Sequence, residues 1–309
     1  VAPTTAPTDT VLGCGADRAG DGVMRMKKAP HALPHSPVAK AVDYLFPCLP
    51  FRPTVGIVLG SGLRGFADRP PILTTIPYAE IPGFPTCSVE GHPGRLVLTD
   101  RCGPRVAILQ GRAHRYEGLS RDTVTRPIRV LASLGVETLI VTCAAGALGD
   151  AEPGALMFIE DHLNLMGDNP LIGAARGDAG SSGFVEMANA YDPALLRLAE
   201  GVAEASGIPS CRGVLAAVSG PTYETAAEAA MLRRLGAKAV CMSVVPEVIV
   251  ARALNLRVLG LALLTNRAGV QQDRETTHHE VMAMAESRAA SVCALLEEVL
   301  SRLGTLPSR

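Results

Sequence analysis

The sequence has no tryptophan, and aromatic residues make up only 4% of its 309 residues. Single-stranded nucleic acid is held on aromatic stacking platforms, for which the chain has little material. Charge of one sign is lacking as well: 29 Lys and Arg stand against 30 Asp and Glu, a formal net charge of -1. A general nucleic-acid binder needs a basic surface to displace counterions, so nucleic acid is not an expected partner. No apolar run reaches the ~18 residues of a membrane-spanning helix. The longest candidate, residues 240–265, is interrupted by Glu247, Arg252 and Arg257, so no membrane partner is expected. Eight cysteines occur without one CxxC pair, which leaves zinc-ribbon and thioredoxin readings unsupported. Most lie in apolar runs such as Val141-Thr142-Cys143 and Val240-Cys241-Met242, where a lone thiol behaves as a small core residue. Lone buried thiols and the lack of a secretory signal predict a cytoplasmic protein.

What the chain does have is apolar material, 48% hydrophobic against 19% charged, which describes a globular protein. Residues 1–35 are rich in Ala, Thr, Pro, Gly and Asp without periodicity and read as a disordered extension. Ser36-Pro37 then reads as a helix N-cap followed by proline at the first helical position. From 36 to 309 no linker or repeat appears, so one domain is expected. β-branched runs predict strands at 55–59, 95–99, 106–110, 138–142, 213–218, 239–242 and 257–265. Helical patterns fall between several of them, at 121–134, 193–206, 224–235 and 247–255, and a last helix spans 277–303. Interleaved strands and helices predict an α/β domain, a mixed but largely parallel central sheet flanked by helices.

Gly60-Ser61-Gly62-Leu63-Arg64-Gly65 matches G-x-G-x-x-G after the strand at 54–59, the dinucleotide-binding pattern. That pattern needs a helix next, but Pro70, Pro71, Pro77, Pro82 and Pro85 fill the interval, and an interior proline costs a helix ~3 kcal/mol. A dinucleotide cofactor is therefore rejected. What survives is a glycine turn whose backbone N–H groups and Ser61 hydroxyl suit an anion, or simply a structural turn.

Other strand ends carry similar chemistry. In Gln110-Gly111-Arg112-Ala113-His114-Arg115-Tyr116, the residues Arg112, His114 and Tyr116 alternate and project to one side of an extended backbone. They suit an oxyanion or phosphate, with Arg112 as a two-pronged donor, though a solvated basic loop reads the same way. Residues 141–147 read as a strand running into a small-residue turn at Cys143-Ala144-Ala145-Gly146. At 219–225, Tyr223 suits stacking on a flat ring and Glu224 suits accepting from ring N–H groups; the alternative is a helix cap and a first-turn acid. Ser243 is an anion donor or an N-cap, and Asn266 a turn former or a recognition amide at a strand end. His278-His279-Glu280 opens the last helix; it is not H-E-x-x-H, so no metal is expected.

Taken together, these segments resemble the trimeric class of purine nucleoside phosphorylases, the family shared with methylthioadenosine phosphorylases. The resemblance runs from about residue 40 to 300. It includes Gly60-Ser61-Gly62-Leu63, Gly91-His92, 111–118, Gly220-Pro221-Thr222-Tyr223-Glu224-Thr225, Val245-Pro246-Glu247 and Thr265-Asn266, in the family's order. It implies that Ser61, Arg112, His114, the Ala144 backbone and Ser243 bind phosphate, with His92 close by. It implies that Tyr116 and Met242 contact the ribose and His278 its 5′-hydroxyl. Glu224 and Asn266 would hold the purine, with Tyr223 against its face, and His114, Asn266 and Glu224 would carry the catalysis.

The implied reaction is reversible phosphorolysis of purine nucleosides to free purine and ribose 1-phosphate, in purine salvage, with phosphate as co-substrate, no cofactor and a homotrimer. An Asn at position 266 goes with 6-oxopurines, inosine and guanosine and their deoxy forms, where an Asp marks the methylthioadenosine branch. Alternatives are a phosphorylase of altered specificity, methylthioadenosine included, and a catalytically weak nucleoside-binding protein. They arise from departures: Cys143 stands where the family carries Asn, and Val244 where it carries Thr, each expected to remove a polar group from the pocket. The segment 177–183 lacks the aromatic that relatives send into a neighbouring subunit's site; either Phe184 substitutes for it or the lid is unlike theirs.

Overall fold

The structure is a computed structural model that describes residues 35–89, 91–173, 184–269 and 277–306. The expected disordered extension at 1–35 lies almost wholly outside the described residues, as does the segment 177–183. The chain opens on helix α1 (Pro37–Leu45), whose N-cap Ser36 accepts from the Ala39 N–H at 3.1 Å, with Pro37 at the first helical position. Strand β1 (Val55–Leu59) is buried at every residue, as expected of a strand covered on both faces by helices. After it comes a single 3-10 turn, Arg64–Phe66, and the short strand β2 (Thr74–Pro77), so the prolines do exclude the helix a dinucleotide site requires. Then follow β3 (Arg95–Thr99), β4 (Val106–Gln110), α2 (Arg121–Leu134), β5 (Thr138–Ala147), β6 (Leu156–Asn164), α3 (Pro193–Ala205) and β7 (Ser210–Ala217). The chain closes with α4 (Ala226–Arg234), β8 (Ala237–Cys241), α5 (Val245–Ala253), β9 (Arg257–Arg267) and α6 (His278–Arg302).

The nine strands form one mixed sheet in the order β2-β3-β4-β1-β5-β8-β7-β6-β9, and β9 also pairs with β5. That last pairing closes β5, β8, β7, β6 and β9 into a barrel, with β4, β3 and β2 continuing outward from β1. The ladders β1–β4, β1–β5, β5–β9, β6–β7 and β7–β8 are parallel, the other four antiparallel. The expected α/β architecture with a mixed, largely parallel sheet is therefore present.

Two strands were not expected. β2 is four residues long with Pro77 at its end and one buried side chain, too short for an alternation to register. β6 begins apolar and continues through the polar Glu160-Asp161-His162 to Asn164, with a register shift between Ile159 and Asp161 that breaks its period. A further correction concerns 143–147: this is not a turn, because β5 continues to Ala147 through a bulge at Ala145/Gly146, paired throughout with β9. The cysteine reading also needs amending. Cys87, Cys102, Cys143, Cys211, Cys241 and Cys293 are free, but Cys48 is disulfide-bonded. Spacing along a chain does not reveal such pairing.

Candidate active site

Because β1, β4, β5 and β9 run parallel, their carboxyl ends meet on one side of the sheet, and the chain turns sharply there. The end of β1 approaches β5 so closely that a Cβ on Gly60 would sit 2.7 Å from the Thr142 carbonyl oxygen; the Gly60 N–H donates to Thr142 Oγ1 at 2.8 Å. This contact presents Ser61. At the end of β4, Gly111 has φ +107°, and a Cβ there would lie 2.8 Å from the Cβ of His92. The glycine thus lets His92 pack against the start of the Arg112–His114 segment.

Arg112 is buried, and the fork expected to be free is already occupied. Its Nε and Nη2 donate to the two oxygens of Glu247 at 2.9 and 3.0 Å, and Nη1 donates to the Thr142 carbonyl at 2.5 Å. Burial opposes the charge, but Glu247 outweighs it and holds the guanidinium above its ordinary range. Of five guanidinium N–H groups, two therefore remain for an anion, one on each terminal nitrogen. His92 receives the Arg112 backbone N–H on Nδ1 at 3.4 Å, so its own proton sits on Nε2, 3.4 Å from Ser61 Oγ. Burial, with His114 and Arg112 nearby, lowers its pKa to about 3. His114 is likewise lowered to about 4, by burial first and Arg112 second. Its Nδ1 lies 2.9 Å from Glu117 Oε1, which places the proton of the neutral ring there and leaves Nε2 as an acceptor. Glu117, in spite of burial, is held below the usual carboxylate range by hydrogen bonds from Ser88 and His114. Tyr116 stacks on His114 at 4.7 Å from within a 3-10 turn, not the extended strand expected for it, and burial pushes its phenol up to about 12.

The opposite wall comes from β5, β8, β9 and the segments after β7 and before α6. Helix α4 starts at Ala226, two residues later than expected, because Thr225 and Glu228 form a capping box. Glu224 is thereby left off the helix, where burial raises its pKa. Gly220 has φ +65°, and a Cβ there would strike Met242 Sδ at 2.3 Å. Past β8, Val244 has φ +65° and ψ -56°, and the Val245 N–H donates back to the Ser243 carbonyl at 2.7 Å. This γ-turn, strained for a β-branched residue, ends the strand and presents Ser243. Val244 itself is buried away from the cavity, against a small void beside Ala113 and Pro246, so it does not alter the pocket wall as expected. Cys143, by contrast, does line it. The Thr265 hydroxyl lies within hydrogen-bond distance of both the Ala145 carbonyl, at 3.3 Å, and Asn266 Oδ1, at 3.1 Å, which ties the amide oxygen to the cavity wall. His278 is the first residue of α6, behind its N-cap Thr277.

One cavity of about 120 Å³ gathers all twelve residues expected from sequence: Ser61, His92, Arg112, His114, Tyr116, Ala144, Tyr223, Glu224, Met242, Ser243, Asn266 and His278. A larger cavity of about 210 Å³ adjoins it across Tyr116. Its charges are satisfied internally, Asp168 pairing with both Arg115 and Arg121.

Residues 54–301 match the family model described as Phosphorylase superfamily. The chain belongs to the phosphorylase superfamily. It is 44% identical over 266 residues to purine nucleoside phosphorylase 1 of Bacillus subtilis, covering 86% of this chain and 98% of that one. To the purine nucleoside phosphorylase of Bos taurus it is 42% identical over 259 residues, 82% of this chain and 88% of the relative. Among solved structures, the Schistosoma mansoni purine nucleoside phosphorylase in complex with inosine aligns with TM-score 0.80 at 37% identity, covering 88% of this chain and 97% of that one.

Sequence reasoning missed the groups that hold the site rather than line it. Glu117 and Glu247 were within quoted motifs, but nothing in their spacing tells that one meets His114 and the other Arg112, the latter 135 positions away. Thr265 and Val281, on the cavity wall, were also missed. Cys241 was placed only as a core residue, although it too lines the cavity.

Proposed function

We propose that this cavity carries out reversible phosphorolysis of purine nucleosides, with 6-oxopurines preferred and inorganic phosphate as co-substrate. One observation carries the reading: anion donors (Ser61, Arg112, Ser243) and groups suited to a purine (Glu224, Asn266) line the same cavity. Phosphate is held by the two remaining Arg112 N–H groups, the Ser61 and Ser243 hydroxyls and the Ala144 backbone. Neutral His114 accepts the P–OH proton of monohydrogen phosphate on Nε2, so the ionised oxygens face Arg112 and the sugar. Tyr116 and Met242 contact the ribose, His278 its 5′-hydroxyl, and Tyr223 lies against the purine.

As the bond between C1′ and N9 lengthens, positive charge develops on the ribose and negative charge on the purine. The phosphate anion faces the first and attacks C1′. Asn266, on the cavity wall, donates to N7 as the second grows, a preorganised dipole acting on the transition state. Glu224 accepts from N1–H, which inosine and guanosine have and adenosine lacks. The family's homotrimer, its role in purine salvage and a cytoplasmic location belong to the same reading, which needs no cofactor. Among the described residues, no helix is long and apolar enough to cross a membrane.

The test is inosine turnover with and without phosphate, followed by hypoxanthine release. Phosphate-dependent release is expected, with adenosine and methylthioadenosine the poorer substrates. Release that ignores phosphate, or no release from any purine nucleoside, would refute the assignment.

A further inference from the structure

We propose that the phosphate site admits tetrahedral oxyanions that carry a proton and turns away those that do not, and that Glu117 sets this choice by fixing the proton on His114. The inference deepens the phosphorolysis reading and rests on its phosphate site. Sulfate and monohydrogen phosphate are both tetrahedral dianions of similar size, so neither charge nor volume separates them. Only the P–OH does, and it needs an acceptor. The other groups of the site do not supply that distinction. Arg112 and Glu247 balance one another through two hydrogen bonds, 2.9 and 3.0 Å long, and the N–H groups left over only donate. His92 takes the Arg112 backbone N–H on Nδ1 and gives its Nε2 proton to Ser61 Oγ, each at 3.4 Å. The Ser61 hydroxyl thus has its own proton free for the anion. The Ser243 hydroxyl can turn to suit either anion.

His114 has the opposite polarity. Glu117 gathers four donors on its two carboxylate oxygens: the Ser88 N–H and hydroxyl on Oε2, the His114 N–H and ring on Oε1. A carboxylate so placed only accepts. The His114 Nδ1, 2.9 Å away, therefore donates, and a neutral ring then offers a bare lone pair at Nε2. The ring is buried on the cavity wall and stacked on Tyr116, which holds its orientation. The titratable and charged groups around it are Arg112, Glu117, His92, Tyr116 and His278. Their balance keeps it neutral, because burial first and Arg112 second outweigh Glu117. Monohydrogen phosphate meets Nε2 with its P–OH. Sulfate brings a bare oxygen against a bare nitrogen, both desolvated, with no proton between them. Glu117 is thus a positioning residue that acts on the anion only through His114.

The test is calorimetric titration of the full chain at slightly alkaline pH with inorganic phosphate and sulfate. Arsenate and selenate form a second pair that differs in the same way at larger radius. The protonated member of each pair is expected to bind about 10²-fold tighter, since a site built for a hydroxyl rejects the analogue that lacks it. In Glu117→Leu the ring is free to carry its proton on Nε2, and the preference is expected to fall below about 10-fold. In His114→Gln the amide presents either its oxygen or its N–H, with the same result; this variant decides should Glu117→Leu fail to fold. A merely structural role for Glu117 would weaken all four anions alike and leave the ratios as they were. Sulfate within about threefold of phosphate in the unaltered chain, or ratios unchanged in a folded variant, would overturn the proposal. Heat from neither anion would overturn it together with the phosphate site. Inosine turnover is measured on the same samples. Phosphate-dependent turnover without anion preference refutes this inference alone; anion preference without any hypoxanthine release refutes the phosphorolysis reading and leaves the anion site standing.

Discussion

Arg112, 5% exposed, keeps its charge because Glu247 meets it on two atoms, and the N–H groups left over define where an anion docks. The same division of a side chain into a held part and an offered part recurs at His114 and Asn266. For Asn266, replacing the amide by a carboxylate removes the donor to N7 and repels the departing base. Asn266→Asp is expected to lower kcat/KM for inosine by about 10²–10³-fold, the usual effect of losing a preorganised donor, and to lower it less for 6-aminopurine nucleosides. Steady-state kinetics with both classes checks this. The two histidines also make stability depend on pH. Their native pKa values, about 3 for His92 and about 4 for His114, lie below the ordinary 6.5. Between these limits the unfolded chain binds protons that the native one refuses, so stability falls as pH drops below about 6.5. His114 alone contributes on the order of 3 kcal/mol by pH 4. Urea unfolding at pH 7 and near pH 4 is expected to show the loss, and His114→Gln to flatten it.

At the scale of elements, glycines decide how closely strand ends approach one another. Gly111 and Gly118 share a positive φ, but only Gly111 has a neighbour, His92, within 4 Å of a would-be Cβ. Gly111→Ala is expected to cost about 2–4 kcal/mol, left-handed strain plus overpacking, while Gly118→Ala costs only the strain, about 1–2 kcal/mol. The first should also raise the KM for phosphate, through His92 and Ser61. Thermal unfolding and phosphate saturation curves measure both effects. These local devices were partly visible in the sequence. β1, β3, β4 and α2 lie where the apolar pattern put them, the strands as short, almost wholly buried apolar runs and the helix through its amphipathic period. β2 and the second half of β6 have none, and β5 reads as a turn beyond Thr142 because alanine and glycine carry no pattern. The α4 boundary was misplaced for a related reason: Thr222 and Thr225 both suit an N-cap, and Glu228 settles the choice.

At the scale of the whole molecule, the β5–β9 ladder closes the barrel and brings the ends of β1, β4, β8 and β9 to one cavity. Phe184 stands outside that closure, 97% exposed, beside the segment where the family resemblance expects an aromatic for a neighbouring site. A homotrimer is expected, with a mass by light scattering three times 32.2 kDa. If Phe184 completes a neighbour's pocket, Phe184→Ala raises the KM for inosine and leaves that for phosphate unchanged. A monomeric mass, or equal effects on both constants, would remove this role.

The sequence by itself determined the α/β class, the rejection of a dinucleotide site and, through the family resemblance, twelve of the residues that line the cavity. Those features depend on local properties: period, proline, and short motifs in which chemistry is packed into neighbouring positions. The tertiary structure alone decided that Arg112 spends its fork on Glu247, that Val244 turns away, and that β5 runs on through its bulge. Each of these depends on groups brought together across the sheet from distant parts of the chain, and on the burial that follows. Sequence spacing carries no record of either.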